Sequence, residues 1–189
     1  MSDGLDRPRN VLMFGASGVG CSTIGAGVAA RLAYQYLDTD DLFWLPTDPP
    51  FVRTRDPSDA CALLERNMTA ARGCVVGGTL NGWAERLGVL FDAAILLHAA
   101  ADVRLARILE RQKQRFGGRI EPGGDMHARH VAFLDWAAGY DTGATLERNL
   151  SLHERWGQSL PCGVQKVEND ASPEVIVERV IGLLRAWPA

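Results

Sequence analysis

Lysine is almost missing from this chain: of 20 basic residues only Lys113 and Lys166 are lysines, and the rest are arginines. No apolar run reaches the 18 residues of a membrane-spanning helix, which excludes that class. A formal net charge of −3 excludes the global basic field of a nucleic-acid binder. The four cysteines, Cys21, Cys61, Cys74 and Cys162, show no C-x-x-C spacing, so neither a zinc site nor a redox pair is indicated. Residues 1–10 are polar and lack the apolar stretch of a signal peptide. A cytoplasmic protein with reduced thiols is expected. Internal repeats and low-complexity linkers are also lacking. What remains, 189 residues at 47% hydrophobic content, suffices for a single domain, 1–189, with a sizeable core.

The most informative stretch is Val11-Leu12-Met13-Phe14 followed by Gly15-Ala16-Ser17-Gly18-Val19-Gly20-Cys21-Ser22-Thr23. An apolar run, a glycine-rich turn and a small-residue helical segment follow one another. The spacing is that of a phosphate-binding loop, G-x-x-x-x-G-K-[ST]. Such a loop curls its backbone N–H groups around phosphate oxygens, and the helix N-terminus adds partial positive charge. Residues 15–23 are therefore the candidate nucleotide cradle, with the Ser22 hydroxyl as a magnesium ligand. Cys21 stands where the loop lysine belongs, so the cradle lacks its own cation. A thiol at a helix N-terminus is expected to be acidified.

Further along, 36–37 leads into Asp38-Thr39-Asp40-Asp41, read as a short strand ending in carboxylates. Residues 42–56, with Pro46, Pro49 and Pro50, read as an irregular flap, and Pro57-Ser58-Asp59 opens a helix to about 71. Segments 74–78, 92–98 and 164–167 read as strands. Helices are expected over 101–115, 127–140, 145–158 and from Ser172-Pro173-Glu174 onward. Alternating strands and helices predict an α/β fold with a parallel, doubly wound sheet.

In such sheets ligands gather outside the carboxyl ends of the strands. The loop, the Asp38/Asp40 pair and Gly77-Gly78 all fall there. On an extended backbone Asp38 and Asp40 face the same way, one toward magnesium and the other accepting a substrate hydroxyl proton as general base. The bland alternative is a solvated, Asp-rich turn. Arg107, Arg111, Arg115 and Arg119 recur every four residues and run into a glycine-bracketed loop, which reads as a lid over transferring phosphate, or as a solvent-facing helix pairing with carboxylates such as Glu110. Lys113 lies in the same segment as a substitute for the loop lysine. Asp125, His127 and His130 have no distinctive metal spacing.

The order of phosphate loop, Asp38-Thr39-Asp40, Gly77-Gly78, arginine-bearing segment and Asn169-Asp170-x-Ser172-Pro173-Glu174 resembles the small P-loop kinases of the adenylate, shikimate and gluconate kinase group. The resemblance covers about 10–184. It implies a three-layer α/β/α P-loop fold, with an acceptor-binding insertion at about 42–71 and a lid at about 111–127. It also implies ATP and Mg2+ as cofactors and transfer of the γ-phosphoryl group to a small metabolite or nucleotide. Asp40, Arg111, Arg115 and Arg119 are then the catalytic candidates, Ser22 and Asp38 the metal ligands, and Asn169 a flank of the adenine. The departure at Cys21 keeps a second reading open, a nucleotide-binding pseudokinase or regulator without turnover.

Overall fold

The computed structural model describes residues 8–145 and 148–188. Most of the expected N-terminal tail, through position 7, lies outside the described residues, as do Leu146 and Glu147 of the helix expected from 145.

Five parallel strands form one sheet in the order β2-β3-β1-β4-β5, with β1 Asn10–Gly15, β2 Gln35–Asp38, β3 Cys74–Gly77, β4 Ala93–His98 and β5 Val164–Glu168. The central strands are continuous apolar runs because both of their faces are covered. Along β1 the side chains alternate between two cores. Val11 and Met13 pack toward α1 (Cys21–Leu32) and α7 (Pro173–Arg185). Leu12 and Phe14 pack toward α3 (Pro57–Ala70), with Trp156 of α6 (Leu150–Gln158) edge-on to Phe14. This is the expected three-layer α/β/α arrangement. With β1 between β3 and β4, the loop leaving β1 stands where the strand order reverses, the position at which such sheets bind ligands.

Two local expectations are corrected, and the irregular stretch expected at 42–56 is found as a loop with a closed base. Residues 39–43 are not extended: Asp38 caps a short helix, α2 (Thr39–Phe43), by accepting the Asp40 N–H at 3.0 Å. The segment 44–55 is an ordered loop closed at its base, where Leu45 N–H donates to the Arg53 carbonyl at 2.9 Å and Arg55 N–H to the Phe43 carbonyl at 2.7 Å. Helix α6 starts at Leu150 instead of 145, because the Asn149 side chain accepts the Leu152 N–H at 2.9 Å and fixes the N-cap there. Helices α4 (Ala101–Phe116) and α5 (His127–Ala138) lie close to their expected spans, joined by a 3-10 turn at Gly117–Ile120.

Behind the loop, His153 of α6 is fully buried between the Tyr140 hydroxyl, 2.8 Å from Nδ1, and the Thr79 hydroxyl, 3.2 Å from Nε2. Burial, and secondarily the nearby Arg148 charge, lower its pKa to about 3. The folded form therefore refuses a proton that the unfolded chain accepts. Stability attributable to this group is intact above about pH 6.5, the ordinary histidine value, and is lost as pH falls from there toward 3, at up to roughly 1.4 kcal/mol per pH unit. His153→Gln is expected to unfold in urea with a shallower pH dependence between pH 6.5 and 4 than the parent protein. Parallel slopes for the two proteins would mean that His153 is not held neutral.

Candidate functional site

The turn from β1 into α1 is pinned from outside. Asn169, buried just beyond β5, donates its side-chain amide to the Val19 carbonyl at 2.7 Å, and its backbone N–H bonds the His98 carbonyl at 2.7 Å. Gly20 holds a left-handed φ of 102°, and a Cβ there would stand 2.7 Å from Asn169 Nδ2, so only glycine fits. Asn169, expected beside the adenine, thus spends its side chain on the loop. The Ser172 side chain makes no cap bond to α7.

At the other end of the loop, the Ser22 hydroxyl donates to Asp38 Oδ2 at 2.9 Å, and the Tyr36 hydroxyl donates to the same oxygen at 3.1 Å. Asp38 also accepts the Asp40 N–H, so its carboxylate joins α1, β2 and α2. Asp40 sits in the first turn of α2 and is exposed. The protein crowding its carboxyl and the Asp38 charge still raise its pKa, while Arg148 and Arg111 pull it down. Of the arginines expected to line a lid, Arg111 is the one whose charge bears on both Asp38 and Asp40.

The others go elsewhere. Arg115 lies 5.9 Å from the Phe51 ring centre. Arg119 grips Asp125 through two bonds, 3.0 and 2.7 Å, and bonds Asp48 at 2.7 Å, tying the 117–125 turn to the 44–55 loop. Arg107 donates to the Asn169 carbonyl at 3.3 Å, beside the loop. Arg104 is wholly buried and structural: it bonds the Ala99 and Ala137 carbonyls and the Asp141 carboxylate. Lys113 is exposed and two residues from Arg111, about half a helical turn away and on another face. His127 and His130 bond the Ile120 carbonyl and Gln112 separately. Among the described residues no three His, Cys, Asp or Glu side chains gather as a metal site.

The residue that sequence reasoning missed is Arg148. One of its terminal nitrogens lies 3.3 Å from both the Gly15 carbonyl and the Ser17 hydroxyl, and its guanidinium is 5.4 Å from the Trp136 ring centre. It comes from the α5–α6 connection, with no motif around it, so only the tertiary fold could reveal it. Cys21 corrects a second expectation. Burial pushes its thiol up to about 12, with Arg148 lowering it and Asp38 raising it further. The helix N-terminus does not make it a thiolate.

The residues fit the groups that the loop implies. Ser22 and Asp38 present hard oxygens 2.9 Å apart, and magnesium favours such donors, taking one or two from protein and the rest from phosphate and water. Two arginine nitrogens beside the loop, Arg107 Nη1 and Arg148 Nε, are buried with no hydrogen-bond partner among the described residues, which suits an incoming anion.

Comparison with known proteins agrees with this frame. No family model matches the chain. The uncharacterized protein YqaC of Bacillus subtilis (strain 168) is 36% identical over 176 residues, 93% of this chain and 97% of that protein. A gluconokinase from Sinorhizobium meliloti 1021 superposes with a TM-score of 0.53 at 16% identity, covering 97% of this chain and 95% of its own. The shikimate kinase from Acinetobacter baumannii, solved in complex with shikimate, gives 0.55 at 13% identity, covering 94% and 93%. That from Bacteroides thetaiotaomicron gives 0.54 at 14%, covering 94% and 98%. At these identities the likeness shows the fold, that of the P-loop kinases, which the sheet order and the loop already describe. No helix among the described residues is long and apolar enough to cross a membrane.

Cys21 should behave as a neutral thiol. Iodoacetamide at pH 8 is expected to label it at least about 100-fold more slowly than a free cysteine, whose pKa is about 8.5. Labelling at the free-cysteine rate, read by peptide mass spectrometry, would contradict the buried environment described for it.

Proposed function

We propose, on the premise that the chain belongs to the family of Bacillus subtilis YqaC and has the P-loop kinase fold, that it transfers the γ-phosphoryl group of ATP to a hydroxyl of a small metabolite or nucleotide. The observation that carries this reading is the convergence of Ser22, Asp38, Asp40 and Arg111 at the mouth of the glycine loop. A protein that merely bound nucleotide has no use for a second carboxylate, Asp40, held apart from the Ser22–Asp38 pair.

In this reading the loop amides of 15–23 bind the phosphates, and Ser22 and Asp38 hold Mg2+, which neutralises charge on the phosphate oxygens. Asp40 accepts the proton of the acceptor hydroxyl as that oxygen bonds to the γ-phosphorus. The bond from phosphorus to the β–γ bridging oxygen breaks, and ADP leaves with that electron pair. The raised pKa of Asp40 makes it a better base than an ordinary carboxylate. Arg111 offsets negative charge on the oxygens in flight. The flap at 44–55 and the segment to 71 form the acceptor side, with Phe43, Trp44, Phe51 and Trp83 in mutual contact there. Arg115 and Arg119 belong to the clasp between lid and flap.

ATP with magnesium is expected to raise the melting temperature, since a ligand bound by the native state alone stabilises it. A panel of hydroxylated metabolites and nucleoside monophosphates, monitored for ADP release, tests transfer. Thermal stabilisation by ATP with no acceptor-dependent ADP release across the panel would favour a nucleotide-binding regulator instead.

With an acceptor in hand, Asp40→Asn should lower kcat by on the order of 10²-fold or more with ATP affinity largely kept. Because Asp40 works ionised, kcat/KM in the parent should fall as pH drops through its raised pKa, placing the acid limb above the ordinary carboxylate range. Native turnover in the asparagine variant would reduce Asp40 to a helix-terminus residue.

A further inference from the structure

The loop has no cation of its own, yet a cation from elsewhere lies on it. We propose that Arg148 takes the place of the missing loop lysine, its guanidinium serving as the phosphate contact that Cys21 cannot make. The inference rests on the nucleotide-binding reading above and assigns a role to a residue no motif marks.

The two interior arginines make the argument. Arg104 is as buried as an arginine can be, and the protein satisfies it completely: Nε to the Ala99 carbonyl at 3.1 Å, one terminal nitrogen to the Ala137 carbonyl at 3.3 Å, the other to the Asp141 carboxylate. It needs no ligand. Arg148 is also largely withdrawn from water, but it has no carboxylate partner among the described residues. Its two bonds, both from one nitrogen, are long at 3.3 Å, and its buried Nε has none. A desolvated charge left in that condition is costly unless an anion completes it. Its position says which anion. The bonded atoms are Gly15 O and Ser17 Oγ, both in the phosphate loop. Its field reaches the Cys21 thiol, at the lysine position, and the Asp40 carboxyl beside the acceptor. Trp136 backs the guanidinium on one face, which fixes the plane of its donors. A planar fork held over the loop suits two phosphate oxygens better than a single ammonium does.

Lys113, the only lysine near the lid, is on a different helix face, and Arg119 is engaged by Asp48 and Asp125. Arg107 approaches from the Asn169 side. Arg148 is thus the cation joined to the loop itself.

Isothermal calorimetry with ATP, ADP and adenosine in the presence of magnesium tests this on the parent protein, Arg148→Gln, Cys21→Lys and the double variant. Arg148→Gln is expected to weaken ATP and ADP by on the order of 10- to 100-fold, the scale of a charge-assisted contact, and to leave adenosine unchanged. Adding Cys21→Lys to that variant should recover most of the loss. The same lysine in the parent should gain less than roughly threefold, because Arg148 already occupies the place and two substitutions at a shared site do not add. Arg148→Gln with ATP affinity within about twofold of the parent would overturn the proposal. So would an equal loss for adenosine, or a lysine gain of the same size in both backgrounds. If Arg148→Gln fails to fold, Cys21→Lys alone decides: a tenfold or larger gain over the parent overturns the proposal, and a gain under about threefold upholds it. Failure of the parent to bind ATP would count against the functional reading as a whole.

Discussion

The turn from β1 into α1 leaves no room for side chains at its glycines, and the site follows from that constraint. A Cβ on Gly15 would meet the Leu97 carbonyl oxygen at 2.4 Å, and one on Gly18 would meet the Arg104 carbonyl oxygen at 2.5 Å. Those oxygens belong to β4 and to α4, while Asn169 closes on the loop from beyond β5. The loop is therefore wedged among three elements, and its shape is set by the sheet more than by its own sequence. Helix α4, which carries Arg107, Arg111 and Arg115, touches the loop at its first turns.

The frame was legible because its signals are local. Continuous apolar runs at 11–14, 74–76 and 93–97 gave central strands, and the Pro57 and Pro173 starts gave α3 and α7, all within a residue or two. The short helix after Asp38 was not legible, since one side-chain bond to the Asp40 N–H decides it against an extended reading. At the site, the loop and the carboxylates could be read from spacing. The arginines could not. Four-residue spacing suggests one stripe, but each step of four advances about 40° beyond a full turn, and the helix ends at Phe116. Arg111 consequently meets the carboxylates while Arg115 lies against Phe51 and Arg119, beyond the helix, meets Asp48. Arg104 and Arg148 were invisible for a stronger reason: apart from the Ala99 carbonyl that Arg104 bonds, their hydrogen-bond partners lie 33 to 133 residues away in sequence.

The site's cations thus come from separate elements, and this changes what the proposed nucleotide binding would depend on. A loop lysine would be carried by the first turn of α1 and follow the loop wherever it goes. Arg148 reaches the loop only because α5 and α6 are docked correctly, with Trp136 of α5 against the guanidinium and His153 of α6 anchored to Tyr140 and Thr79. If Arg148 carries the phosphate contact, affinity is tied to the packing of this whole corner. His153 must also stay neutral there, because Arg148's charge already acts on it and a second cation in the same pocket would repel the first.

The two carboxylates, finally, are chemically unequal although they stand two residues apart. Asp38 accepts three hydrogen bonds, from the Ser22 hydroxyl, the Tyr36 hydroxyl and the Asp40 N–H. Hydrogen bonds of this kind fix the direction of the carboxylate, as the proposed metal-holding role would require. Asp40 shows no such set of donors, and the protein crowding its carboxyl and the Asp38 charge both press its pKa upward. Arg148 and Arg111 counter that pressure. In the proposed reaction the same turn of chain would supply one carboxylate that is held and one that takes a proton, linked by the N-cap bond from the Asp40 N–H to Asp38.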